Sequence, residues 1–125
     1  MNLASTRIVT KHVPTLAAFY EKVTQITPVG TQDFVEFRTP GSVLAMSNEV
    51  ATQKFNANAA VAGANRSMII EFEVADVDAE RARLGSLIEK WVLEPTNQPW
   101  GNRSMLFRDP DGNLINIYSV LPSRP

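Results

Sequence analysis

One order of elements is written twice in this chain, and that repetition constrains the fold more than any other feature. Thr6-Arg7-Ile8-Val9-Thr10 is short and β-branched, which predicts a strand. Pro14 suits a first helical position, and Leu16, Ala17, Phe19, Tyr20 and Val23 recur at helical spacing. Three strand-like runs follow, Thr27 to Val29, Phe34 to Arg38 and Ser42 to Met46, with Pro40-Gly41 turning the chain between the last two. The second half repeats this. Met68 to Val74 reads as a strand, Asp76 as the cap of a helix from Val77 to Leu84, and Lys90 to Leu93 as the next strand. Ser104 to Phe107 and Leu114 to Tyr118 form a hairpin through Asp109-Pro110-Asp111-Gly112. Each position there has turn chemistry: Asp to bond the backbone, Pro to fix φ and Gly to permit positive φ.

The helix entries at His12 and Asp76 lie 64 residues apart, whereas the hairpin glycines Gly41 and Gly112 lie 71 apart. The second copy is therefore seven residues longer between helix and last strand, and the loop Glu94 to Gly101 accommodates them. An internal repeat with one insertion explains this register. The expected organisation is a single α+β domain of two βαβββ modules. Module 1 runs from about 3 to 48, a connector rich in Ala and Asn from 49 to 65, module 2 from about 66 to 119, and a tail from 120 to 125.

Composition excludes several classes. A chain of 125 residues with 44% hydrophobic and 20% charged residues is an ordinary globular sequence, long enough to bury a core without staples. Twelve basic against thirteen acidic residues leave a net charge of −1, so the basic excess that drives nucleic-acid binding is missing. The absence of cysteine removes disulfides, Cys-ligated metals and a thiol nucleophile. No run of 18 apolar residues occurs and the N-terminal segment lacks the apolar stretch of a secretion signal, so a cytoplasmic protein without membrane contact is expected.

Pro99-Trp100-Gly101-Asn102-Arg103, followed by Phe107 to Ile115, resembles the closing hairpin of the vicinal oxygen chelate superfamily. That group contains glyoxalase I, bleomycin-resistance proteins and extradiol dioxygenases. Leu16-Ala17-Ala18-Phe19-Tyr20 resembles its first helix, and Phe72 to Asp78 its second-module entry, so the likeness runs from about residue 3 to 119. The resemblance implies the glyoxalase/bleomycin-resistance fold, in which two βαβββ modules set their sheets side by side around a cup. It also implies a homodimer.

Enzymes of that superfamily hold a divalent metal in the cup through His or Glu on the first and last strands of each module. Carried over position by position, the ligands fall on Ser5, Ala45, Ile69 and Asn116. None is His, Asp or Glu, and a divalent metal needs deprotonated nitrogen or oxygen donors in fixed geometry. No metal and no other cofactor is therefore expected.

Strand alternation predicts the cup lining: Ser5, Arg7 and Val9; Val43, Ala45 and Ser47; Ile69, Glu71 and Glu73; Leu114, Asn116 and Tyr118. Ile70, Phe72, Val74, Ile115 and Ile117 should pack under the helices. Within this frame the candidate ligand contacts are Arg7, Ser47, Phe55, Glu71, Trp100, Arg103, Asn116 and Tyr118. Arg7 and Glu71 are read either as anchors for a polar ligand or as an internal ion pair. Trp100 is read as a stacking lid or as a packing device of its turn. Asn116 and Tyr118 stand at the lost metal-ligand position. Two functions follow: a metal-free protein that sequesters a partly aromatic, antibiotic-like small molecule, or an enzyme working without the usual metal. In the second, Glu71, Tyr118 or His12 would carry the proton chemistry.

Overall fold

Helix starts in this protein are set by side chains that accept from otherwise unpaired backbone N–H groups. In the computed structural model, which describes residues 1–123, His12 caps the helix α1 (Val13–Thr24). Its Nδ1 accepts from the Thr15 N–H at 3.3 Å. Asp76 caps α3 (Val77–Leu84) through Oδ1, which accepts from the N–H groups of Asp78 and Ala79 at 3.0 and 3.2 Å. The chain divides into two compact units, residues 1–64 and the chain from Asn65 onward.

The first unit contains β1 (Ser5–Thr10), α1, β2 (Val29–Gly30), β3 (Phe34–Arg38), β4 (Val43–Asn48) and α2 (Glu49–Phe55). Its four-stranded mixed sheet has the order β1-β4-β3-β2, with β1 parallel to β4 and the other pairs antiparallel. The apolar stripe of α1 buries Val13, Leu16, Ala17, Tyr20 and Val23. Tyr20 and Phe37 are fully buried and meet with ring centroids 6.3 Å apart. Each such ring stabilises the fold by roughly 1.5–3 kcal/mol through the area it removes from water.

The second unit repeats the plan with β5 (Ile69–Glu73), α3, β6 (Trp91–Asn97), β7 (Asn102–Arg108) and β8 (Leu114–Val120). Its order is β5-β8-β7-β6, with β5 parallel to β8. Met105, Phe107, Ile115 and Ile117 are buried and pair across β7 and β8, so they share one face. Val77 and Leu84 of α3 are the buried residues of that helix. The turn expected at Asp109 to Gly112 is present. Asp109 Oδ1 accepts from the N–H groups of Asp111 and Asn113, both at 2.9 Å, and Gly112 has φ of 86°.

Three differences from the sequence reading have physical causes. The connector 49–65 contains α2, which Asn48 caps by accepting from Ala51 N–H at 2.8 Å. Its single buried side chain is Thr52, so no hydrophobic stripe announced it. Strand β6 runs through Pro95 into what reads as loop. A proline is tolerated there because β6 is an edge strand with register shifts on either side of Leu93. The strand expected over Thr27 to Val29 reduces to Val29–Gly30. Of the predicted tail, Val120 belongs to β8, and residues 124 and 125 lie outside the described residues.

Candidate functional site

Alternation along β5, β7 and β8 sorts the second sheet into two faces. One carries Met105, Phe107, Ile115 and Ile117 and lies against α3. Arg103 belongs to it and donates Nε and Nη2 to the two carboxylate oxygens of Asp78 on α3, at 2.8 and 3.1 Å. The other face carries Ile69, Glu71 and Glu73 from β5, Leu114, Asn116 and Tyr118 from β8, and Ser104, Leu106 and Arg108 from β7. Registration is direct: Glu71 stands beside Asn116 and Glu73 beside Tyr118.

At the centre of that face Asn116 Nδ2 donates to Glu71 Oε2 at 2.7 Å. Asn116 Oδ1 is buried and has no hydrogen-bond partner. Glu71 itself is exposed. The group therefore presents one exposed carboxylate, already oriented by the amide, while the amide oxygen beside it is enclosed. Farther along the same face lies a cavity of about 160 Å³, with Arg66, Met68, Ile69, Arg108 and Leu114 in its lining. Arg66 and Arg108 did not emerge from the sequence as site residues. Extending the β8 alternation to its partner β7 would have found Arg108, which registers opposite Leu114.

The remaining sequence candidates are placed as follows. Arg7 Nη2 donates to Asn56 Oδ1 at 2.8 Å at the end of α2, so Arg7 and Glu71 each hold a partner within their own unit. Ser47 is 1% exposed, and its hydroxyl has no hydrogen-bond partner. It lies in register with Val9, and α2 lies against both β1 and β4. Phe55, at the end of α2, is 79% exposed, and Trp100 in the 98–101 turn is 71% exposed. Arg103 is held by Asp78 and by Asn97 Oδ1 at 3.0 Å on the helix-bearing side, away from Glu71 and Asn116. Its guanidinium, by hydrogen bonding first and by charge second, holds the Asp78 carboxyl below the usual carboxylate range. Arg81 does the same for Glu94 through two hydrogen bonds of 2.6 and 2.9 Å, while stacking 4.0 Å over Trp91.

The four positions where the resemblance places metal ligands do not fit a metal. Ser5 is a neutral hydroxyl, Ala45 is a buried methyl group, Ile69 is aliphatic, and the Asn116 amide directs its N–H toward Glu71. Among the described residues no group of three or more His, Cys, Asp or Glu side chains is placed to hold a metal ion. The donor chemistry that a divalent metal requires is missing from these positions.

A family model described as a glyoxalase-like domain matches residues 4–122. The chain belongs to that family. It is thereby a member of the vicinal oxygen chelate superfamily, and its two βαβββ units agree with that. Solved structures agree on the fold of this glyoxalase-like protein. A glyoxalase/bleomycin resistance protein/dioxygenase family enzyme from Burkholderia phytofirmans PsJN is similar, with a TM-score of 0.83 and 17% identity. That likeness covers 97% of this chain and 100% of the other. A lactoylglutathione lyase from Agrobacterium tumefaciens has a TM-score of 0.72 and 23% identity, covering 94% and 92% of the two chains. A structure named only "conserved domain protein" has a TM-score of 0.75 and 26% identity, covering 96% and 99%. No curated protein matches the chain. No helix among the described residues is long and apolar enough to cross a membrane.

Proposed function

We propose that this glyoxalase-like protein is a metal-independent small-molecule binder of the bleomycin-resistance type. It would sequester a partly aromatic, antibiotic-like ligand as a cytoplasmic homodimer. The observation that carries this reading is the Asn116–Glu71 hydrogen bond. Where a metal enzyme of the superfamily needs a carboxylate or imidazole lone pair aimed at the ion, this chain aims an N–H at its neighbouring acid. Binding needs shape, stacking surface and a few oriented polar groups, not a Lewis acid. Glu71, Asn116 and Tyr118 supply the polar groups on one face, and the exposed ring of Trp100 offers stacking surface.

The test joins metal analysis to a ligand screen. Protein purified without chelator is expected to hold well below one equivalent of Ni, Zn, Mn or Fe per chain. A screen read by tryptophan fluorescence should return ligands that bind stoichiometrically and are recovered unchanged. One tightly held equivalent of metal would overturn the reading and reopen lyase and dioxygenase chemistry. The second reading, an enzyme without metal, draws on the oriented and exposed Glu71 carboxylate as a general base. It predicts chemical change in a recovered ligand and its loss in Glu71→Gln.

A further inference from the structure

In the first unit, α1 packs on one face of the sheet and α2 lies back along the other. Tyr20 of α1 meets Phe37, which registers with Leu44, and Val35 registers with Met46, so these residues face α1. Ala45 and Ser47 alternate with them and face the opposite way, beside Arg7 and Val9 of β1. Helix α2 starts directly after β4, lies against both β4 and β1, and ends at Asn56, whose Oδ1 accepts from Arg7 Nη2 at 2.8 Å. Its 7 residues rise roughly 10 Å. That matches the roughly 10 Å of strand from Asn48 back to Ala45, the register partner of Arg7. The helix therefore roofs Val9 and Ser47, and Ser47 is 1% exposed.

Little holds this roof down. Whereas α1 buries Val13, Leu16, Ala17, Tyr20 and Val23, α2 buries only Thr52, and its Val50 and Phe55 face water. The Arg7–Asn56 hydrogen bond is exposed to solvent. Beneath the helix the Ser47 hydroxyl is buried without a hydrogen-bond partner, a desolvation cost that water relieves once the roof lifts. Ala57 and Asn58, which follow, have φ of 56° and 53°, in the left-handed region that residues other than glycine adopt at a cost. The start of α2, by contrast, is pinned: Asn48 donates its N–H and Nδ2 to Asp33 at 3.2 and 2.7 Å. Few buried apolar contacts and solvent-exposed hydrogen bonds mark segments that open while the rest of the fold stays intact. We propose that α2 is a hinged cover, which swings open from Asn48 in the native protein, parts Asn56 from Arg7 and uncovers the Ser47 face. The Arg7–Asn56 bond is its latch. The device lies within the first unit and needs no ligand to operate.

The chain has no cysteine, so a single introduced thiol reads the opening directly. Full-length Ser47→Cys and Val35→Cys proteins are labelled with iodoacetamide at a series of urea concentrations below the unfolding transition. Val35 faces α1 and is 7% exposed, more than Ser47. Static exposure would make Val35→Cys the faster; the hinged cover makes Ser47→Cys faster by at least tenfold. Its rate should be nearly independent of urea, because local opening exposes little surface. Adding Asn56→Ala should raise the Ser47→Cys rate at least threefold. In the unmodified protein, amide exchange over residues 53–56 should be at least tenfold faster than over residues 17–20 of α1, a readout that stands even if Ser47→Cys fails to fold. Labelling of Ser47→Cys no faster than that of Val35→Cys, or with the same steep urea dependence, means that only global unfolding exposes this face and overturns the proposal. Equal exchange in α2 and α1 overturns it as well. An unchanged rate in Asn56→Ala overturns the latch.

Discussion

Asn116 and Glu71 are joined side chain to side chain at 2.7 Å across the parallel β5–β8 pair, with the amide as donor and the carboxylate as acceptor. The polarity of that bond fixes what each group has left to offer. The amide spends an N–H and leaves Oδ1 facing no donor, while the carboxylate is oriented yet exposed. Asn116→Ala is therefore expected to cost little stability, less than about 1 kcal/mol, because the stranded partner remains in contact with water. Ligand binding should fall much further, by tenfold or more. Urea midpoints measured beside ligand titrations separate the two effects, and a large stability loss with intact binding would contradict this assignment.

Aromatic truncations should divide sharply by burial. Phe107 is fully buried, and its ring lies edge-on to Trp91 with centroids 5.4 Å apart. Phe107→Ala should cost about 3–5 kcal/mol, from lost transfer energy and the cavity left behind. Trp100 and Phe55 are 71% and 79% exposed, so Trp100→Ala and Phe55→Ala should stay within about 0.5 kcal/mol of the parent. Denaturant titrations of the three variants decide this. A binding defect in Trp100→Ala without a stability defect would identify its ring as a ligand contact.

Such contrasts show what was legible in the sequence. Asp76 and the 109–112 turn were readable because their chemistry is local: a short acid accepts from nearby N–H groups and a glycine takes positive φ. Ile115 and Ile117 were readable because alternation needs no knowledge of the partner strand. Helix α2 was not, since its only buried residue is Thr52 and its apolar Val50 and Phe55 face water. The extension of β6 was not, since an edge position that excuses Pro95 is a property of the whole sheet. Arg103 shows the same limit. Its place just after the Trp100 turn is sequence information, but its bonds to Asp78, 25 residues away, depend on α3 crossing the sheet.

The Arg103–Asp78 pair gives a pH dependence with a definite sign. Asp78 is held below the ordinary aspartate value of about 3.9 by hydrogen bonding to Arg103 first and by charge second. A carboxylate depressed on folding contributes stability above its unfolded pKa and loses it as pH falls through its folded pKa. Arg103→Gln should therefore be slightly less stable than the parent at pH 7, and the gap should close below about pH 4. The effect is small because the pair is open to solvent. Parallel thermal melts across pH 2.5–7 test it; a gap that widened in acid would reverse the assignment.

The short β2–β3 pairing depends on one backbone conformation. Gly30 has φ of +145°, and a Cβ there would lie 2.1 Å from the Phe34 carbonyl oxygen and 2.9 Å from Val35 Cα. Both are backbone atoms, and the same carbonyl accepts from Thr31 N–H at 2.7 Å, so neither can move without breaking the turn. Gly30→Ala should destabilise the protein by more than about 1 kcal/mol. Gly41→Ala is the control, because nothing lies within 4 Å of its Cβ position. Amide exchange should show Thr31 and Val35 opening first in Gly30→Ala, with α3 and the second sheet unaffected. Equal stability of the two variants would mean that the β2 pairing contributes nothing to the fold.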